Sequence, residues 1–161
     1  MKDKEIRLLM ICGTLALFGA ASEFVLAQGA AQPTPAERAI QYRQAVFKVV
    51  AGNFGPLAQK AQGKAELSEA EARNAGARLA SIAEFVPDAF PDVSKDGETK
   101  AKPEIWANRA EFDKLANDLV TNTKALAAVT AKSGATADEF KAAVGGVGNA
   151  CKGCHDKFRA K

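Results

Sequence analysis

TADEFKAAVGGVGNACKGCHDKFR, residues 136–159, decides the fold because it writes out one helix from cap to end. Thr136 with Glu139 three positions later is a capping box, in which each side chain satisfies the other's free backbone N–H. Phe140, Val144, Val147, Cys151, His155 and Phe158 then recur at steps of three and four. That spacing lines them along one face of a helix of 3.6 residues per turn.

The same grammar recurs upstream. Thr34 and Glu37 form another capping box, with Pro35 at the first helical position, where its missing N–H costs nothing. Ile40, Arg43, Val46, Phe47, Val50, Phe54 and Leu57 follow on one face. Ser68 and Glu71 open a further helix that presents Ala72, Ala75, Leu79, Ile82 and Phe85 before Pro87 stops it. Pro103 starts a run carrying Ile105, Trp106, Phe112, Leu115, Leu119, Leu126 and Val129. Gly63–Lys64 and Lys132–Gly134 are short connections, so their flanking helices should be antiparallel neighbours. The proline- and charge-rich stretch 87–102 must instead cross the bundle or border a site. No strand-like alternation persists. The expected fold is all-α, an antiparallel up-down four-helix bundle. A looser three-helix domain with a frayed first helix fits three coherent caps less well.

The chain has 161 residues, enough for one domain with a real core. Its first 27 residues read as a secretory signal peptide: basic Lys2, Lys4 and Arg7, the apolar run LLMICGTLALFGAA (8–21), then SEFVLA with cleavage after Ala27. The apolar run is too short for a comfortable membrane span. Ile11 is too bulky for a lipoprotein signal at Cys12. Residues 28–161 are then one domain, exported to the periplasm. Cleavage removes equal numbers of basic and acidic residues, so the net charge stays at +3. That balance is too mild and too scattered for nucleic acid. Both methionines and Cys12 leave with the signal, and the domain keeps two cysteines and one histidine.

Those three form Cys151-Lys152-Gly153-Cys154-His155, the attachment signature of c-type haem. Thiols at i and i+3 share a helix face and can add to two vinyl groups along one porphyrin edge. The histidine next in sequence can then ligate the iron as neutral imidazole. Other uses of the motif fit less well. A disulfide is compatible with export. A thioredoxin-like pair belongs to a βαβ context, and zinc would need a fourth ligand. The expected cofactor is haem c, one per chain, held by Cys151 and Cys154 with His155 as metal ligand. Neither methionine nor a second histidine remains to fill the sixth iron position; a lysine, the new N-terminus or water could serve, but a solvated lysine must first be deprotonated and desolvated, so the default expectation is a five-coordinate, high-spin iron. Arg43 is odd on an apolar face, and a haem propionate would explain it through a charge-assisted hydrogen bond. By packing alone, Phe47 reads as core.

CKGCHDKFR, KPEIW (102–106) and YRQAVF (42–47) together resemble cytochrome c′, the high-spin branch of the class II c-type cytochromes. The resemblance implies a four-helix bundle with haem near the C-terminus, a homodimer through the first two helices, and an apolar residue of helix one over the distal face of the iron. By register that residue is Phe47. It also implies propionate contacts at Gln44 and Thr99, less clearly at Glu98, and a proximal role for Arg159, four residues after His155. An exposed polar role for Gln44, Thr99 and Glu98, and a surface role for Arg159, remain open. The implied function is binding of nitric oxide and carbon monoxide, with protection against nitric oxide. An apolar cover offers no hydrogen bond that would favour dioxygen. Nitric oxide also weakens the bond trans to itself, so the contact from His155 to the iron can lengthen. The alternative is a periplasmic electron carrier docking an unknown redox partner through Lys152, Lys157 and Lys161. An enzyme is not expected, because a peroxidase needs a distal acid–base group and no histidine is left for one.

Overall fold

The computed structural model describes residues 32–161, which form one compact unit. The expected signal peptide, residues 1–27, and its expected cleavage point lie outside the described residues. Five helices occur among them: α1 Pro35–Ala61, α2 Glu69–Ala83, α3 Glu104–Ala107, α4 Arg109–Ala131 and α5 Ala137–Phe158. Helix α1 packs on α2, α2 on α4, α4 on α5, and α5 returns to α1. The four long helices therefore close into a bundle, with α3 a single turn ahead of α4.

Each of the three capping boxes forms in full. Thr34, Ser68 and Thr136 accept the backbone N–H of Glu37, Glu71 and Glu139, whose carboxylates reach back to the cap N–H. An N-cap of this kind is worth about 1 kcal/mol, so each helix start is marked by a local interaction as well as by packing. The inward faces supply Ile40, Val46, Val50 and Leu57 from α1, with Leu79, Phe112, Leu126 and Val147 from the other three long helices. Among the described residues no helix is long and apolar enough to cross a membrane.

The bundle differs from the sequence expectation at three places. The run from Pro103 is not one helix: Asn108, at φ −119° and ψ 50°, breaks it into α3 and α4. Helix α2 ends at Ala83, two residues before Phe85. The chain then turns so that Val86 points inward and Phe85 is half exposed. Helix α5 stops at Phe158, and Arg159 is extended, at φ −117° and ψ 132°. It pairs with Ala101 in an isolated antiparallel bridge, with Lys102 N–H donating to Phe158 O and Ala160 N–H to Lys100 O.

That bridge anchors the far end of the 87–102 crossover to the end of α5. The near end contains two short 3-10 turns, Pro87–Ala89 and Asp92–Ser94, and sends Ala89, Phe90 and Ser94 into the interior. Gly97 lets it lie close to α1. Its φ is +133°, and a Cβ there would come within 2.7 Å of Ile40 Cδ1. The crossover is a wall of the site.

Candidate functional site

Cys151 and Cys154 stand on consecutive turns of α5, both half-buried against the core. No disulfide joins them. Burial raises the pKa of Cys151, and burial with the neighbouring Cys151 pushes Cys154 up to about 11. Redox-active and zinc-binding pairs work as thiolates and sit where the pKa is depressed. These two are held neutral. Among the described residues no three Cys, His, Asp or Glu side chains gather to hold one ion. Neutral thiols a helical turn apart suit addition across two vinyl groups of a flat macrocycle, with each sulfur–carbon bond formed as the thiol proton passes to the neighbouring carbon.

His155, one residue on, is exposed. Packing on its inner side lowers its pKa first, the Arg159 guanidinium lowers it further, and Asp156 opposes them. The first two effects favour the neutral imidazole, the form that ligates iron. Arg159 therefore does lie beside His155, although by the bridge to Ala101 rather than by a shared helical face. Its side chain is exposed.

On α1, Arg43 is only 3% exposed. Its Nη1 donates to Ser94 Oγ at 2.6 Å, and its Nη2 to Thr99 Oγ1 at 2.8 Å. Both nitrogens also approach the Ser94 carbonyl, at 3.3–3.4 Å. The guanidinium stacks over Phe90 at 5.1 Å and over Trp106 at 5.9 Å. All of these partners are neutral, and none of the ion pairs among the described residues includes Arg43. Burial accordingly lowers its pKa. A buried cation without a carboxylate is costly unless an anion joins it. Thr99 Oγ1 accepts from Arg43 and from the Ala101 N–H at 3.1 Å, which leaves its hydroxyl proton to offer elsewhere. Gln44 and Glu98 are exposed, and no side-chain hydrogen bond joins either to Arg43 or Thr99.

Phe47 is half-buried next to this cation and packs on the core. Its ring meets Phe90 edge to face, at 6.2 Å between centroids. Phe90 in turn contacts Phe112 at 4.8 Å and Trp106 at 6.4 Å. The site thus has an apolar aromatic wall, one buried cation and two neutral thiols, which fits a flat, largely apolar group carrying carboxylates. A family model described as Cytochrome C' matches residues 38–159. The chain belongs to the cytochrome c′ family.

A cytochrome c′ from Rubrivivax gelatinosus is 40% identical over 126 residues, 76% of this chain and 95% of that protein. The solved cytochrome c prime from Shewanella frigidimarina is 30% identical at a TM-score of 0.75, covering 81% of this chain and all of its own. A ferrous arginine-to-lysine variant of cytochrome c prime from Alcaligenes xylosoxidans, solved with bound NO, is 28% identical at a TM-score of 0.72, covering 81% of this chain and 99% of its own. As a cytochrome c′, the chain carries haem c covalently, and Cys151 and Cys154 are the cysteines that hold it.

Sequence reasoning missed Ser94 and Phe90. Ser94 is fully buried, accepts from Arg43, and donates to Pro91 O at 2.8 Å. Its only sequence signal is its place in the crossover, 51 residues from Arg43. Phe90 was visible as an apolar residue between two prolines, in a loop that otherwise favours water.

Proposed function

We propose that this cytochrome c′ is a periplasmic haem protein that binds nitric oxide and carbon monoxide at a five-coordinate, high-spin iron and protects against nitric oxide. Bound haem supplies the iron at which a diatomic gas coordinates. Cys151 and Cys154 fix the group to α5, and His155, whose surroundings favour the neutral imidazole, would ligate the iron. Arg43, Thr99 and Ser94 form the polar corner that takes a propionate, with Gln44 and Glu98 at its solvent edge. Phe47 covers the opposite face, excluding water and anions while yielding to a small neutral molecule. Arg159 shields the edge of His155 and is placed to donate a hydrogen bond on the proximal side.

The observation that carries this reading is Phe47: a half-buried phenyl ring on the same helix face as the buried Arg43, packed edge to face on Phe90. It can neither coordinate nor donate a hydrogen bond. The relative solved with bound NO supports the choice of gas. The electron-carrier reading draws less support. Lys152 pairs with Asp156 and Lys157 with Glu111, which neutralises two of the three lysines that would steer a partner.

A homodimer through α1 and α2 belongs to the same proposal. Tyr42, Val49 and Phe85 are about half exposed, and Val49 and Phe85 line a shallow apolar groove of about 380 Å³ with Ala77, Arg78, Ser81 and Ile82. Large exposed apolar residues gathered on one face mark an interaction surface.

The test is equilibrium titration of the ferrous holoprotein with carbon monoxide and, separately, with dioxygen. Saturable carbon monoxide binding with no reversible oxygen complex supports the reading. A stable oxygen complex would defeat it.

A further inference from the structure

We infer that Phe90, pinned by Arg109, holds Phe47 over the gas site and so sets how fast a diatomic ligand enters. The inference rests on the reading of Phe47 as the cover. A cover that cannot ligate must swing aside to admit a gas, and its freedom depends on what stands behind it. Behind Phe47 stands Phe90, 6% exposed, with edge-to-face contact at 6.2 Å. Phe112 and Trp106 close the space behind Phe90, and the Arg43 guanidinium lies over its face. Phe47 therefore gains room only when the backbone of residues 87–94 gives way.

Arg109 opposes that movement. Its Nη1 donates to Phe90 O at 3.1 Å and its Nη2 to Pro87 O at 3.0 Å, so one guanidinium grips two carbonyls of the crossover. Its Nε is fixed on Asp113 at 2.7 Å, which aims the fork. Trp106 Nε1 adds a second donor to Phe90 O at 3.2 Å. An i,i+4 pair with Asp113 alone would leave Arg109 an ordinary surface residue. Its two contacts across some twenty residues of sequence make it a clamp. The planar, pre-organised fork of arginine suits this, and lysine keeps the charge without the fork. Arg109 and Phe90 are thus positioning residues that act through Phe47.

Laser flash photolysis of the ferrous CO-bound holoprotein tests this, comparing wild type with Arg109→Gln, Arg109→Lys, Phe47→Ala and the double variant Phe47→Ala/Arg109→Gln. Arg109 is about 40% exposed at its side chain, so its replacement leaves the bundle folded. Losing two charge-assisted bonds should raise the CO association rate about five- to tenfold, with Arg109→Lys in between. Amide exchange at Ala89, inside the clamped segment, should quicken in parallel. In the Phe47→Ala background, Arg109→Gln should add nothing. Should Phe47→Ala fold poorly, Phe47→Leu replaces it and the effect of Arg109→Gln should shrink. If Phe47→Ala speeds entry and Arg109→Gln does not, the clamp is overturned and the cover stands. An equal effect of Arg109→Gln with and without the Phe47 ring also overturns the clamp. If Phe47→Ala leaves the rate unchanged, the reading of Phe47 falls and the clamp with it.

Discussion

Replacing Arg43 with methionine separates two accounts of why a buried guanidinium is there. Methionine keeps most of the apolar stem and removes the charge. If Arg43 serves only the protein, the change should be close to neutral. The two short bonds to Ser94 Oγ and Thr99 Oγ1 are lost, at about 1.5–3 kcal/mol each for a charged donor. Against this, the cost of burying a guanidinium with no carboxylate, several kcal/mol, disappears as well. Ser94 Oγ keeps the bond it donates to Pro91 O, and Thr99 Oγ1 still accepts from the Ala101 N–H, so only the Ser94 carbonyl, which Arg43 reaches at 3.3–3.4 Å, is left without a partner. A net change within about 1 kcal/mol follows from these offsets. If instead Arg43 neutralises a haem propionate, the variant leaves an unpaired anion in a buried corner and should lose about 3–5 kcal/mol. The assay is urea denaturation of the holoprotein, followed by both the Soret band and far-ultraviolet circular dichroism. A loss of 3 kcal/mol or more fits the propionate pairing. A midpoint indistinguishable from wild type at unchanged slope would refute it.

Other consequences are open to separate checks. Replacing Cys154 with serine should leave one thioether at Cys151, shifting the pyridine haemochrome band towards that of a haem with one intact vinyl group; an unshifted band would show that Cys154 is not attached. Glu139 has its carboxyl held down to about 2 by the Lys132 ammonium and then by the cap N–H and hydroxyl of Thr136. Since the folded state binds this proton more weakly than the unfolded chain, the contribution of the cap is complete above the ordinary value of 4.5 and vanishes as pH falls through about 2. An NMR titration of the Glu139 carboxyl should find that low midpoint, and an ordinary one would show the cap open. Gly76→Ala would place a Cβ 2.4 Å from Thr130 Oγ1 and 3.4 Å from Ala127 Cα, where α2 meets α4. It should cost about 1–3 kcal/mol in thermal unfolding, and no loss would show that the two helices separate freely. Val49→Glu should convert a dimer to a monomer in sedimentation without altering the Soret band, and a persistent dimer would place the interface elsewhere.

The helix starts were legible because a capping box is a local device: Thr34, Ser68 and Thr136 each find their glutamate three residues on, whatever the tertiary fold. The CKGCH motif was legible for the same reason, since its geometry is that of one helix turn. The break at Asn108 was not, because no proline or glycine marks it and its side chain makes no cap bond. It sits instead between Trp106 and Arg109, both of which bind the carbonyl of Phe90 across the crossover. Arg159 shows the limit of periodicity in another way. Counting four residues from His155 put it near the right neighbour, but the helix had already ended, and a backbone bridge to Ala101 keeps it there. Spacing alone puts Phe85 on the inner face, but it lies outside because α2 stops two residues earlier. The polar corner was half legible: an arginine on an apolar stripe could be seen, but the serine that receives it is 51 residues away and has no pattern of its own.

The central claim is an open iron position under an apolar cover, and the visible spectrum of the dithionite-reduced holoprotein, before and after addition of nitric oxide, tests it most directly. A broad high-spin spectrum that changes on adding nitric oxide is the predicted result. Sharp, split low-spin bands that nitric oxide leaves unmoved would mean that a side chain of this protein already closes the iron, and would contradict the account.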